Sequence, residues 1–81
     1  MKLPYAMVEM GIIYNNLNQR DKAKKLLQKS LQIRQKINDT YGIVDSYENL
    51  GNFYYDNKFY KKAIYYYEKA LNMAKRYSFN Y

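Results

Sequence analysis

The sequence predicts an all-α protein of four antiparallel helices, and three observations support this fold class. Residues of the first half recur forty positions later, apolar residues follow helical spacing in four stretches, and polar breaks separate those stretches. The recurring pairs are Gly11 and Gly51, Tyr14 and Tyr54, Lys22 and Lys62, Ala23 and Ala63, Lys29 and Lys69, and Leu31 and Leu71. The chain is therefore one unit written twice, and such units stack because neither buries its apolar face alone.

The first unit predicts a helical hairpin whose two helices meet at the polar break of residues 18–20. Apolar residues recur every three or four positions on both sides of this break. The positions predicted to face the interior are Met7, Met10, Ile13, Tyr14 and Leu17, then Ala23, Leu26, Leu27, Ser30, Leu31, Ile33 and Ile37.

The second unit predicts a second hairpin of the same kind. Residues 38–40 supply N-cap chemistry for its first helix, residues 56–58 form the break, and the last helix runs from about residue 59 to 77. The tyrosines at 65–67 favour a strand by propensity, but the helical pattern on both sides outweighs this weak preference. The predicted interior positions are Ile43, Val44, Tyr47, Leu50, Phe53 and Tyr54, then Ala63, Tyr66, Tyr67, Ala70, Leu71, Met73, Ala74 and Tyr77.

The composition narrows the possible functions. The 81 residues include no cysteine and no histidine, and no Gly-rich phosphate loop or convincing acid pair is present. We therefore expect no catalytic residue, no metal site and no cofactor. No apolar stretch approaches the roughly 20 residues of a membrane span. A cytoplasmic protein that is not an enzyme is the expectation.

Seven positions of the second unit follow the order large residue, leucine and glycine, aromatic, alanine, aromatic, alanine. They are Tyr47, Leu50, Gly51, Tyr54, Ala63, Tyr67 and Ala70, and the first unit has a weaker version in Met7, Met10, Gly11, Tyr14, Ala23, Leu27 and Ser30. This pattern resembles the tetratricopeptide repeat. We expect the glycines and alanines to let paired helices approach closely, while Tyr14 and Tyr54 fill the space between them.

The resemblance implies a short right-handed α-solenoid of two helical hairpins, forming a single domain over residues 1–81. Repeat one is placed at about residues 4–38 and repeat two at about residues 41–79. The period of forty residues exceeds the usual 34. It resembles the long-period branch found in kinesin light chains, Pins-type adaptors and bacterial regulatory proteins. We expect the extra residues to lengthen the second helix of each pair. The family implies a protein interaction module.

In this family the first helix of each pair lines a concave groove that binds a peptide or protein segment. By resemblance, the groove positions are Tyr5, Val8, Glu9, Ile12, Asn15, Asn16, Asp45, Glu48, Asn49, Asn52, Tyr55 and Asp56. Four of these are acids and none is basic, so we expect a ligand with basic and apolar side chains.

Two further points qualify this groove. The carboxylate clamp by which some members bind chaperones needs lysine and asparagine where Val8 and Ile12 stand, so we do not expect that mode. Asn49 and Asn52 have an alternative role, which is to satisfy polar groups of neighbouring helices.

The apolar residues of the last helix predict a second interface. Apolar residues that a following repeat would cover are left uncovered there, and an exposed apolar patch usually marks an interface. The chain is therefore either part of a longer array or associates with another copy, as a closed dimer or a filament. The residues assigned to this interface are Ile64, Tyr65, Met73, Tyr77 and Phe79.

The net charge of +7 arises mainly from the second helix of each pair and its ends. The favoured interpretation is that these residues solvate an outer surface. The alternative is that they bind RNA or DNA with the help of the tyrosines. Five tyrosines occupy predicted interhelical positions, which favours the first interpretation. The basic residues are Lys22, Lys24, Lys25, Lys29, Arg34, Lys36, Lys61, Lys62, Lys69, Lys75 and Arg76.

Overall fold

The computed structural model describes residues 3–77, which form four α-helices and no strand. The helices are α1 (Leu3–Asn16), α2 (Arg20–Lys36), α3 (Thr40–Asp56) and α4 (Tyr60–Arg76). Helix α1 packs on α2 and α3 packs on α4, while α2 packs against α3 and α1 touches α3. The predicted all-α arrangement of two stacked hairpins is confirmed.

The three turns between the helices have the same geometry. Asn18, Asn38 and Lys58 have positive φ angles of 61°, 54° and 67°. After Lys58, the amide of Phe59 donates to the carbonyl oxygen of Tyr54 at 2.8 Å, and the other two turns have the equivalent bond. A left-handed residue with this bond ends a helix. Each forty-residue unit therefore consists of two halves of twenty residues.

The extra length of the unit is shared between its helices. Helices α3 and α4 each contain 17 residues, so the expectation that only the second helix is longer was wrong. The predicted N-cap is confirmed, because the Asp39 carboxylate accepts a hydrogen bond from the Gly42 amide at 3.0 Å.

The core centres on α3. A first cluster of buried side chains draws on all four helices, and a second lies mainly between α3 and α4. The Tyr54 ring of α3 and the Tyr66 ring of α4 stack in parallel, with centroids 5.6 Å apart. The first cluster contains Val8, Ala23, Leu27, Leu50, Phe53, Tyr54 and Ala63, and the second contains Ile43, Val44, Tyr47 and Ala70.

Six residues predicted to face the interior are instead largely exposed, with exposed fractions of 47–60%. Four of them lie on the outer helices α1 and α4 or directly after α4. These helices are covered on fewer sides than α3. The other two belong to the turns. The six are Met10, Ile13, Leu17, Ile37, Leu71 and Tyr77.

The two glycines of the repeat mark close helix contacts, as predicted. A Cβ atom on Gly51 would lie 2.5 Å from the Tyr67 ring, and one on Gly11 would lie 3.0 Å from the Leu27 side chain. The Gly51 distance leaves no room for a side chain, whereas the Gly11 distance requires only a small shift of the flexible Leu27 side chain, so the spacing of α3 and α4 depends more strictly on its glycine.

Arg34 is buried between α2 and α3, although the sequence placed it with the outer basic residues. Its guanidinium donates to the Gly42 carbonyl oxygen at 3.0 Å, the Asp45 carboxylate at 3.0 Å and the Ser46 hydroxyl at 2.8 Å. The hydroxyls of Ser30 and Ser46 are 3.3 Å apart. These five residues, which we call the polar joint, connect the two hairpins, and a buried charge is tolerated there because it is fully paired.

Candidate functional site

A hollow of about 220 Å³ lies between α1 and α3. Its floor is apolar, formed by Leu27 and Phe53, and its rim carries amides and a carboxylate. The hollow brings together six of the predicted groove residues, which are Ile12, Asn15, Asn16, Asn49, Asn52 and Asp56. We call it the α1–α3 hollow.

Amide side chains tie the two repeats together at one end of this hollow. The Asn15 amide donates to the Asp56 carboxylate at 3.1 Å. The Asn57 amide donates to the Asn15 side-chain oxygen at 3.0 Å and to the Phe53 carbonyl oxygen at 2.8 Å. The two bonds of Asn15 join residues about forty positions apart, so they fix the position of α1 relative to α3, and the bond to Phe53 holds the Asn57 side chain in place.

Asn52 has the alternative role that the sequence left open, because it bonds a side chain of the neighbouring helix, whereas the Asn49 bond stays within α3. The Asn49 amide donates to the Asp45 carbonyl oxygen at 2.8 Å, and the Asn52 side-chain oxygen accepts a bond from the Tyr67 hydroxyl. Within residues 3–77, each keeps hydrogen-bonding capacity that these contacts do not use: the oxygen of Asn49 and the NH₂ group of Asn52. Both are therefore positioned by the fold and still able to bind a ligand.

The predicted acids are placed differently from one another. Asp45 forms an ion pair with Arg34 at 3.0 Å, which offsets its charge. Glu9 is exposed on α1, and no ion pair joins it to another described residue. Glu48 lies away from the α1–α3 hollow and lines a different one. Asp56 is thus the acid that lines the α1–α3 hollow itself.

Two nearby carboxylates affect the pKa of Tyr67, whose hydroxyl donates a hydrogen bond to Asn52. Burial raises the pKa of Tyr67 above its ordinary value of 10.0, and the nearby Asp56 and Glu48 carboxylates raise it further. The Tyr67 hydroxyl therefore stays protonated and continues to donate to Asn52 over a wide pH range.

The placement of Val8 in the groove was wrong. Val8 is only 2% exposed and belongs to the first core cluster. It shares the buried face of α1 with Pro4 and Gly11, at spacings of four and three residues. Its side chain is therefore taken up by packing and is not available to a ligand.

The two predicted groove tyrosines lie outside the α1–α3 hollow. Tyr5 and Tyr55 are exposed, and the Tyr55 ring packs edge-on against Tyr60 with centroids 5.4 Å apart. Neither of them lines the hollow, so the predicted aromatic contacts of the groove are not part of it.

The residues predicted for the second interface are only partly accessible. Ile64, Tyr65 and Tyr77 are exposed. Met73 is half-buried against the second core cluster. Phe79 lies outside the described residues.

A larger hollow, which sequence reasoning missed, lies between α3 and α4 with a volume of about 530 Å³. The forty-residue recurrence could have revealed it, because Ser30 and Arg34, which α3 covers, correspond to Ala70 and Ala74. We call it the α3–α4 hollow, and it is lined by Val44, Glu48, Tyr67, Ala70, Leu71, Ala74 and Lys75.

Comparison with known protein families identifies the family to which this chain belongs. The family model described as the tetratricopeptide repeat matches residues 3–76. This chain belongs to the tetratricopeptide repeat family. Tetratricopeptide repeats are generally protein–protein interaction modules. No curated protein and no solved structure matches the chain.

Two of the outer lysines have the same structural role in both tetratricopeptide repeats. The Lys22 ammonium lies over the Tyr14 ring, 5.5 Å from its centroid, and Lys62 lies over Tyr54 at 5.3 Å. Such cation–π contacts contribute about 0.5–1 kcal/mol at exposed sites. Each recurring lysine thus covers the recurring tyrosine of its own repeat. No helix within residues 3–77 is long and apolar enough to cross a membrane.

Proposed function

We propose that this repeat pair binds an extended peptide segment with basic and apolar side chains on the α1–α3 hollow. The hollow itself carries the proposal, because it combines an apolar floor with a polar rim between the two repeats. Its volume of about 220 Å³ is below the roughly 300–1,000 Å³ of small-molecule pockets. It suits one or two side chains of a longer ligand better than a whole small molecule.

The rim supports recognition of an extended backbone. Asn16, Asn49 and Asn52 present amide groups along the hollow, and such groups can pair with the N–H and C=O of a peptide. The contacts that hold Asn49 and Asn52 in place also reduce the entropy that binding would cost.

Charge supports a basic ligand. No lysine or arginine lines the α1–α3 hollow, and Asp56 does. Glu9 lies three residues before Ile12 on α1, so it shares that face of the helix. Opposite charge on the ligand would speed the encounter and exclude acidic segments.

The test is the affinity for a labelled octapeptide of alternating lysine and leucine, measured by fluorescence anisotropy. The double variant Glu9→Gln with Asp56→Asn keeps the side-chain shapes and removes two charges. We expect roughly fivefold to thirtyfold weaker binding, from about 0.5–1 kcal/mol for each of the two exposed charges. Equal affinity of this variant and the unaltered protein would contradict the proposal.

A matched control removes the same charges elsewhere. The double variant Asp21→Asn with Glu68→Gln alters exposed acids on α2 and α4 that lie outside the α1–α3 hollow. We expect this control to bind the octapeptide within twofold of the unaltered protein. A matching peptide of glutamate and leucine should bind weakly to all three proteins.

Nucleic-acid binding by the outer basic residues is the competing function. A thymidine oligonucleotide in the same assay tests it, because phosphate contacts make affinity fall steeply with added salt. Salt-sensitive binding of the oligonucleotide, with no binding of the octapeptide, would contradict the groove proposal and favour nucleic-acid binding.

We also propose that the module associates through its ends, with further repeats or with another copy. The exposed side chains of Ile64 and Leu71 on α4 support this. A cytoplasmic location stays a prediction from the sequence.

A further inference from the structure

We infer that α1 of one copy of this chain docks on the α3–α4 hollow of a second copy, in a head-to-tail contact that repeats the internal contact between α2 and α3. This inference rests on the proposed association through the ends, and it names the occupant, the face and the direction of that contact.

The α3–α4 hollow corresponds to a surface that is covered in the first repeat. Leu27, Ser30 and Arg34 are 2%, 0% and 6% exposed beneath α3. Their counterparts forty residues later are Tyr67, Ala70 and Ala74, which line the hollow, although the small side chains of Ala70 and Ala74 are themselves only 5% and 4% exposed. Leu31 is half-buried, whereas its counterpart Leu71 is 52% exposed. The second repeat therefore presents the docking surface that the first repeat uses for α3.

Helix α1 presents the matching partner surface. In α3, the residues Ile43, Leu50 and Phe53 are buried, at 8%, 0% and 5% exposure. Their counterparts in α1 are equally apolar but exposed, at 53% for Leu3, 47% for Met10 and 57% for Ile13. With Ala6, the counterpart of Ser46, these residues form one stripe along α1. The stripe is suited to the position that α3 occupies on α2.

The polar joint shows why a second copy is the occupant. Inside the chain, Arg34 of α2 pairs with Asp45 and Ser46 of α3, and Ser30 contacts Ser46. In the inferred contact, Ala74 would face Tyr5 and Ala6, and Ala70 would face Ala6. Both surfaces thus lack, at matching positions, the ion pair and the serine hydroxyls of the polar joint. Docking would therefore bury none of the joint's polar side chains without a partner. A change on one surface alone would leave the polar side chains of the other surface buried and unpaired.

Glu48 departs from this pattern. It stands at the position of Val8, which is 2% exposed, and it lines the α3–α4 hollow together with Lys75. Burying its charge would weaken the contact. We therefore expect Glu48→Val to tighten the association severalfold.

The inferred contact joins two different surfaces, so the assembly that it forms differs from that of a symmetric pair. Head-to-tail contacts leave a free surface at each end and continue into rings or filaments, whereas α4 against α4 would close a dimer. Tyr65 distinguishes the two arrangements. Its counterpart Lys25 stays exposed beside α3, so the head-to-tail contact leaves Tyr65 uncovered.

The test uses two variants that each block one surface, with mass measured by light scattering. Ile13→Glu alters α1 and Leu71→Glu alters the α3–α4 hollow; both residues are more than half exposed, so the fold is retained. We expect the unaltered protein to grow in mass with concentration and each variant alone to be monomeric. An equal mixture should form a heterodimer with one copy of each variant, because one intact contact remains.

Tyr65→Glu is the matched control, since Tyr65 is 54% exposed on the same helix as Leu71. It should assemble like the unaltered protein. A dimer of Ile13→Glu alone, with no heterodimer in the mixture, would overturn the head-to-tail contact and leave association through the ends intact. An unaltered protein that stays monomeric at millimolar concentration would overturn both.

A rescue experiment tests the register of the contact. Ala74→Arg places a charge opposite Tyr5 and Ala6 and should weaken association at least tenfold. Adding Tyr5→Asp and Ala6→Ser recreates the polar joint between copies and should restore most of the lost affinity. Failure of this restoration, with helicity unchanged by circular dichroism, would overturn the proposed register.

Discussion

The two repeats share one backbone plan but bury very different surfaces. Helix α3 buries nine residues, whereas the equivalent helix α1 buries Pro4, Val8 and Gly11. The sequence pattern does not explain this difference, because α1 has apolar residues where α3 has them. Position does: α3 lies between α2 and α4, whereas α1 has α2 as its main neighbour. Burial in a repeat protein is thus decided by the adjacent repeat as much as by the repeat itself.

The largest expected difference between the repeats is at Leu50 and its counterpart Met10. Leu50 is fully buried, so Leu50→Ala should cost about 2–5 kcal/mol through lost packing and a cavity. Met10 is 47% exposed, so Met10→Ala should cost less than about 1 kcal/mol. Urea unfolding of dilute protein, followed by circular dichroism, measures both. Equal losses would show that α1 and α3 are equally covered.

The repeat glycines should differ next. Gly51→Ala drives a Cβ into the rigid Tyr67 ring and should cost about 1–3 kcal/mol, typical of overpacking. At Gly11 the neighbour is the flexible Leu27 side chain, and alanine gains about 1 kcal/mol in helix propensity. Gly11→Ala should therefore change stability by less than about 1 kcal/mol.

A second substitution checks the cause. Leucine stands at position 27 where repeat two has Tyr67, so Tyr67→Leu should relieve most of the destabilisation of Gly51→Ala. Melting temperatures of the single and double variants give the comparison. If the double variant is no more stable than Gly51→Ala, the ring contact is not the cause.

The turns allow a smaller test. Lys58 adopts the left-handed conformation that Asn18 and Asn38 adopt in the other two turns, and asparagine tolerates it better than lysine does. Lys58→Asn should raise stability by about 0.5–1 kcal/mol, and Asn38→Lys should lower it by a similar amount. Opposite shifts of the urea midpoints are expected, and shifts of the same sign would contradict the equivalence of the turns.

The smallest expected effect is a pH dependence carried by repeat two. Because the folded pKa of Tyr67 is raised, its contribution to stability is complete below the ordinary value of 10.0 and is lost as the pH rises through the folded pKa. Repeat one has Leu27 at this position and no such titration. Tyr67→Phe should reduce the loss of stability above that pH without removing it, because burial also raises the pKa of Tyr66 in the same repeat. Asp56→Asn should lower the pKa of Tyr67. Tyrosinate absorbance measures the pKa, and an unchanged value in Asp56→Asn would contradict the charge effect.

Much of the fold could be predicted from the sequence. The recurrence of Gly11 as Gly51, combined with helical spacing, was sufficient for four helices, their breaks and the close contacts at the glycines. Periodicity could not show whether a neighbour covers a given side, so Met10 and Leu71 were placed in the interior. Arg34 was missed because a long cationic side chain on an amphipathic helix usually reaches solvent. Its burial depends on acceptors of α3 that only the packed structure aligns.

The candidate site was less predictable. The family resemblance located the rim of the α1–α3 hollow, because the first helices of both repeats lie side by side, but it did not include the floor residues Leu27 and Phe53. It failed at Val8, where the rotation of α1 turns the side chain toward the core. It also could not separate Glu48 from Asp56, which line different hollows.

The central claim, that the α1–α3 hollow is the binding surface, is tested most directly by nuclear magnetic resonance of isotope-labelled protein during addition of the lysine and leucine octapeptide. We expect the largest shifts at the side-chain amides of Asn16, Asn49 and Asn52, with little change at Lys22 and Lys62. Shifts confined to the outer helices, with these three amides unchanged, would contradict the claim.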